Sequence, residues 1–511
     1  MAGVGVTLNK IFDKPSLAAH IYGFGYSTVI TVAPMFVVIG AILAAQLLLH
    51  YDIVDYYHRE LFADTILYIF IFSLLTASPF NAVLSRYLSD VIFEERYEDI
   101  MPCYYVGLVL SVGLGCLLAI PFCLHEYLVG QVPFYYVFTG YCGFMALLLV
   151  FYSMLYLSIS KDYGKISSAF LLGMLLTLVM SLVLVRLLAW EITYSLLLSL
   201  VCGFLLTGSL ETAIIHSYFR RDSRQYRPVL AYFKKYWQLI FINFLYTLGL
   251  YVHNFVFWTT DMHTVLVRSF VTMMSYDMAT CLAMFTNISA SILFISRVEM
   301  RFHARYKAYS EAVIGGRGQD IQNAKQRMFR QLASEIMTLV RTQFIITVVV
   351  FLVLIIFLPW LGIGGEILRV YPCLCVGYFI LFVMYGEILF LYYFNDLKGA
   401  LWTASAFCAV TLLVSIGAAH LPEIWYGVGL VAGSFTGFTV GYFRLRWVER
   451  NLDVHIFCNS ALMKKGSGPM PPGKVFDRRR GDTPESLKES IEKEKEKEKE
   501  KEKEKGGKQY G

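Results

Sequence analysis

FIITVVVFLVLIIFLPWL, residues Phe344–Leu361, runs for eighteen positions without a charged side chain. A helix rises about 1.5 Å per residue, so this run and the apolar residues before it suffice to cross a hydrocarbon layer about 30 Å thick. Similar runs bounded by charge recur along the chain. They predict spans near 20–48, 61–88, 102–122, 133–159, 167–188, 193–218, 237–260, 268–296, 337–361, 366–394, 399–419 and 423–446. The composition agrees: 57% of the 511 residues are hydrophobic and only 16% are charged, whereas soluble proteins carry nearer a quarter. The expected fold is an all-α polytopic membrane protein of about twelve transmembrane helices.

Met1–Lys14 is polar, and the first apolar run has full span length with no small-residue cleavage site behind it. The first helix is therefore expected to remain in place. Orientation follows from Lys and Arg. With a cytoplasmic N-terminus, about 22 basic residues before the tail face inward, including Arg86, Arg96, the cluster Arg220 to Lys235 and the stretch Arg297–Arg341. About four, namely Arg59, Arg186, Arg268 and Arg369, face outward. The predicted location is the cytoplasmic (inner) membrane, with both termini cytoplasmic.

The largest polar break falls after six spans. It divides the chain into an N-terminal six-helix lobe at 1–218, a basic cytoplasmic linker at 219–236 and a C-terminal six-helix lobe at 237–447. Two lobes with even span counts enter the membrane from the same side, as parallel repeats do. Within 297–336, Met300–Ser310 and Asp320–Glu335 read as two cytoplasmic helices joined at Gly315-Gly316-Arg317-Gly318, with Asp320 capping the second. Ile321, Ala324, Met328, Leu332 and Ile336 recur at helical spacing and give that piece one apolar face and one basic face. It can lie on the membrane or its own lobe, or it can dock a partner through Arg301, Arg305, Lys325, Arg327 and Arg330. The tail, 448–511, ends in alternating Glu and Lys; alternation puts like charges at i,i+4, so disorder is expected there.

No phosphate loop, zinc-peptidase motif or nucleophile elbow occurs, so neither ATP-driven pumping by this chain nor enzymatic catalysis is expected, and no cofactor or metal. The ten cysteines read as small core residues. No nucleic-acid partner is expected either. Ionisable groups at membrane depth are costly, which makes Glu211, Asp277 and Glu387 candidates for a substrate or ion pathway. Glu211 and Glu387 share a depth about two turns from the cytoplasmic ends of spans six and ten. Packing and transport both remain open for them, as they do for the polar stripe Asp277, Thr280, Asn287 and Ser291. Asn243, Asn254 and Tyr246 can hydrogen-bond sugars or neighbouring helices. Pro34 and Pro79 free backbone carbonyls within spans one and two, and the neighbouring Thr31, Thr76 and Ser78 can satisfy them.

Several segments together resemble the PelG family of the multidrug/oligosaccharidyl-lipid/polysaccharide (MOP) exporter superfamily. They are Met1–Gly5, Phe241–Asp261 (FINFLYTLGLYVHNFVFWTTD), Tyr276–Tyr309 and Tyr385–Leu401. The resemblance covers most of 1–447 and is carried by patterns rather than by a catalytic signature. It implies a two-lobe MOP exporter-like fold and export of a nascent hexosamine-rich polysaccharide for a biofilm matrix. It also implies a cytosolic glycosyltransferase and other Pel membrane components as partners, alongside the lipid bilayer. The Glu-Lys tail departs from the usual short ending. Two other functions stay open: an ion-coupled flippase or efflux antiporter using Glu211, Asp277 or Glu387, and a membrane scaffold that recruits the glycosyltransferase.

Overall fold

Phe344–Trp360 is the second part of a longer helix. In the computed structural model, Gly318–Trp360 is one continuous helix of 43 residues. The expected break between a cytoplasmic Asp320–Glu335 and a span starting at 337 is absent. Nothing in QLASEIMTLVRTQ interrupts helical hydrogen bonding, because polarity alone does not end a helix. The structure describes residues 34–160, 163–260, 263–266, 270–293, 299–360 and 364–459. Residues 1–33, Asp261, Arg268, Arg297 and the Glu-Lys tail lie outside these, as do the side chains of Asn287, Ser291 and Arg301.

Fourteen α-helices occur among the described residues. The first eight are α1 (Pro34–Leu48), α2 (Tyr56–Phe93), α3 (Ile100–Leu128), α4 (Phe134–Ser160), α5 (Tyr163–Arg186), α6 (Ile192–Tyr218), α7 (Arg227–Lys235) and α8 (Trp237–Phe257). A two-stranded antiparallel hairpin follows, β1 (Thr264–Leu266) and β2 (Phe270–Thr272). Then come α9 (Met274–Leu293), α10 (Glu299–Gly315), α11 (Gly318–Trp360), α12 (Glu366–Tyr393), α13 (Leu397–Ala418) and α14 (Val428–Asn459). Ten helices are long and apolar enough to cross a membrane. Of the twelve expected spans, the other two correspond to α1, described from Pro34 onward, and to α9. The eighth span was expected from 268; instead Phe270–Thr272 forms a strand and the helix begins at Met274.

Two groups of helices share cores. In the first, α4 packs on α2, α3 and α6, and α6 also packs on α5. In the second, α8 lies along α13, and α12 lies against α9 and α11. The groups meet chiefly where α2 runs beside α8. The second half of the 219–236 segment is helical: α7 docks on the first group, with the Tyr232 hydroxyl donating to Asp90 Oδ2 at 3.0 Å and its ring edge-on to Tyr87.

Local chemistry explains the main irregularities. Pro79 cannot donate to the Leu75 carbonyl, and the Ser78 hydroxyl donates there instead at 3.0 Å, as the sequence predicted for such a proline. Between α10 and α11 the chain turns at Gly316, where a Cβ would stand 2.6 Å from the Ala312 carbonyl oxygen. Asp320 is not a cap residue, since α11 starts at Gly318; its carboxylate reaches back to accept from the Arg317 N–H at 3.2 Å. In α14, Gly429, Gly433, Gly437 and Gly441 recur every fourth residue and form a ribbon over α12 and α13. A Cβ on Gly433 would lie 2.8 Å from the Thr411 nitrogen, so the α13 and α14 backbones are nearly in contact. Tyr371 is fully buried and stacks on Phe351, because α11 covers that face of α12.

Candidate transport pathway

Asn81, Ser85 and Ser89 are four residues apart and share one face of α2. Tyr385, Leu389 and Tyr392 do the same on α12. These faces, with Tyr236, Leu239 and Asn243 of the α8 end, Arg86, and Asn395 and Leu397 beyond α12, enclose a cleft of about 330 Å³ between the two groups. Asn243 ties its walls together, its amide donating to the Ser78 carbonyl at 2.7 Å. Asn81 Oδ1 and Arg86 Nε are buried without a hydrogen-bond partner. The Arg86 guanidinium lies 5.7 Å from the Tyr236 ring centre, and its Nε is 3.7 Å from Asp90 Oδ2. Tyr246 stands behind this lining, stacked on Tyr385 at 4.9 Å and tilted against Phe407. The cleft thus offers aromatic faces beside an unused acceptor, Asn81 Oδ1, and a guanidinium paired with Asp90, a surface able to hold a polar ring.

Asp277 and Asn254 come together elsewhere, near the hairpin. Asp277 Oδ1 accepts from Asn254 Nδ2 at 2.6 Å, and Oδ2 accepts from the Trp258 indole at 2.9 Å and the Met273 N–H at 3.2 Å. The carboxylate is 5% exposed and fully engaged in joining α8 to α9. Next to Asn254, His253 Nδ1 lies 2.8 Å from the Tyr276 hydroxyl.

Glu211 and Glu387 are not brought together and line neither the cleft nor the second cavity described below. Both are buried, and none of their four carboxyl oxygens has a hydrogen-bond partner among the described residues. Glu387 is two residues from Tyr385, hence on the opposite face of α12. It faces α14, where Gly441 leaves room for it: a Cβ there would stand 2.5 Å from Glu387 Oε2. The second cavity, about 520 Å³, is walled mainly by apolar side chains of the first group such as Phe72, Leu114 and Phe144, with Phe244 of α8 and Phe270 of β2.

The helix pair α10 and α11 turns its apolar side inward. Phe302 packs on Phe390, Tyr393 and Phe394, and Phe329 stacks on Phe394 at 5.5 Å. Met328 and Leu332 are buried. Arg305, Arg327 and Arg330 remain exposed, and Lys325 is half-buried.

A helical membrane chain built around a polar cleft between two groups matches a family of known members. The family model "PelG: Putative exopolysaccharide Exporter (EPS-E)" matches residues 1–457. The chain belongs to the PelG exopolysaccharide-exporter family. Its fold is also that of multidrug resistance MATE family transporters of the MOP superfamily. The inward-facing structure of one such transporter has a TM-score of 0.54 at 12% identity, covering 84% of this chain and 95% of that one. The outward-facing structure has the same score at 13% identity, covering 84% and 96%. The Vibrio cholerae MATE transporter VcmN in its bent form has a TM-score of 0.55 at 12% identity, covering 88% and 99%. No curated protein matches the chain. This PelG-family protein is therefore a multi-pass membrane transporter of the MOP type. The tail from 458 onward lies beyond the family match.

Sequence reasoning singled out Asn243 of the cleft but passed over Asn81, Ser85, Tyr392 and Asn395. A signal was present: Asn81, Ser85 and Ser89 form a polar stripe within an otherwise apolar span. Tyr385 and Tyr392 lay inside a quoted segment of resemblance, but nothing in the sequence told which face of α12 they shared with a cleft.

Proposed function

We propose that this transporter moves a nascent, hexosamine-rich exopolysaccharide across the cytoplasmic membrane during biofilm matrix synthesis, through the space between the two helix groups. The observation that carries this reading is the cleft: Tyr385 and Tyr392 beside the Asn81 Oδ1, which has no hydrogen-bond partner, and the Arg86 guanidinium. Sugars present hydroxyls that donate and accept, and ring C–H faces that pack on aromatics. Replacing Asn81 and Asn243 together by Leu should reduce secreted polysaccharide at least tenfold while the membrane level of the protein stays near normal. Undiminished secretion would remove the cleft from the path.

Delivery of the polymer fits a cytosolic glycosyltransferase docked on the basic side of α10 and α11 through the exposed Arg305, Arg327 and Arg330. The apolar side of this pair is occupied by Phe390 and Phe394, which leaves the basic side for a partner. Charge reversal at Arg305, Arg327 and Arg330 should abolish co-purification of the glycosyltransferase. The location follows from the same Lys and Arg distribution, with both termini cytoplasmic.

A second reading, ion-coupled transport, is favoured by the unpartnered carboxyls of Glu211 and Glu387. Under that reading Glu211→Gln or Glu387→Gln abolishes transport. If polymer synthesis alone drives export, both variants secrete normally.

A further inference from the structure

The β1–β2 hairpin belongs by sequence to the second group, between α8 and α9, but its strand β2 is seated in the first, while Thr264 and Val265 of β1 are exposed. Phe270 is 6% exposed and lies in the same apolar core as Tyr87, Leu147 and Phe204. The Thr272 hydroxyl donates to Asp64 Oδ1 at 2.9 Å. The Tyr68 hydroxyl donates to the Val271 carbonyl at 2.9 Å and accepts from the Val271 N–H at 3.2 Å, so it clips onto the open edge of β2. The Tyr68 ring completes the seat, parallel to Trp258 at 5.1 Å and edge-on to Phe270 at 5.2 Å.

The root of the hairpin is held differently. In the first turn of α9, Asp277 accepts from the Met273 N–H, from Asn254 of α8 and from Trp258 at its end, all within the second group. The hairpin is therefore a strap anchored in one group and latched to the other. Asp64 and Tyr68 lie near the start of α2, whereas Ser85 of the cleft is seventeen residues beyond Tyr68. That separation is about 25 Å along the helix, close to the thickness of a bilayer core. The structure thus joins the groups by the strap at one end and holds the polar cleft at the other.

We infer that the β1–β2 hairpin is the gate at one end of the pathway between the helix groups, held shut through Phe270, Val271 and Thr272 on Asp64 and Tyr68, and that it must lift off α2 for the substrate to leave. This rests on the reading of the cleft as part of the pathway. The latch consists of neutral hydrogen bonds, one hydrogen bond to a carboxyl group and ring contacts, all of which can be broken and remade. The Asp277 root stays within one group and does not have to break.

The test uses the full-length protein in membranes. In an Asp64→Cys/Thr272→Cys variant, mild oxidation should form a disulfide and lower polysaccharide secretion at least tenfold, with recovery on reduction. Secretion at the normal rate with the disulfide formed, or failure of the pair to cross-link, overturns the gate. A second measurement needs no polymer. A cysteine placed at Asn243 should react several-fold faster with a membrane-impermeant maleimide applied from the hairpin side when Tyr68→Ala and Thr272→Val loosen the latch. Unchanged labelling from that side also overturns the proposal. Because labelling is independent of secretion, a failure of the cleft as a sugar path and a failure of the gate give different results.

Discussion

Among the polar residues at membrane depth, Asp277 and Glu387 have opposite surroundings. Three donors converge on Asp277, so its removal strands the Asn254 amide, the Trp258 indole and the Met273 N–H in a buried site. Each stranded donor costs about 1–3 kcal/mol. Asp277→Ala is expected to lower the thermal unfolding temperature in detergent markedly, and Asp277→Asn, which retains one acceptor oxygen, to lower it less. Equal stability of both variants would remove Asp277 from the α8–α9 connection. Glu387 has no such donors, and the space it occupies exists because residue 441 is glycine. Both residues were visible in the sequence as costly groups. Their different surroundings were not, since these depend on which helices face them.

At the level of elements, α14 is held by its glycine ribbon, and close backbone approach of this kind replaces the hydrophobic effect as the source of helix association in lipid. Gly433→Val would force side-chain atoms against the Thr411 nitrogen and the Phe407 carbonyl oxygen, both within 2.9 Å of the Cβ position. Overpacking of this kind costs about 1–3 kcal/mol or more. We expect a lower unfolding temperature and reduced accumulation in membranes, read by detergent thermal denaturation and quantitative blotting. The same substitution at Gly417, where a Cβ meets nothing within 4 Å, should change neither and serves as a control. The capping end of α13 is a second fixed point: Asp396 accepts from the Gly399 N–H and pairs with Arg444 of α14, whose guanidinium also lies over Trp447. Asp396 is 2% exposed, so Arg444→Leu leaves a buried carboxylate without its cation and is expected to destabilise by about 3–5 kcal/mol.

For the whole molecule, the distribution of Lys and Arg makes a topological prediction. A reporter active only in the periplasm and fused after Trp447 should be silent, whereas one fused after Arg369 should be active. An active reporter after Trp447 would break the even span count. The two helix groups, joined along α2 and α8, carry the cleft between them, and no single helix contains it. Four elements each supply part of the lining, so a cleft residue such as Asn395 has no distinguishing mark in its own neighbourhood.

Length and apolarity of the runs, the basic residues between them and the proline with its serine partner were legible from the chain alone. Each follows from the free energy of placing a single segment in lipid or of satisfying one backbone group. The continuity of α11, the hairpin in place of the start of the eighth span, the seating of Phe270 in the first group and the cleft itself depended on tertiary structure. They depend on contacts between segments far apart in the chain, such as Asp64 with Thr272, 208 residues away. No local pattern encodes which of two compatible faces such segments will share.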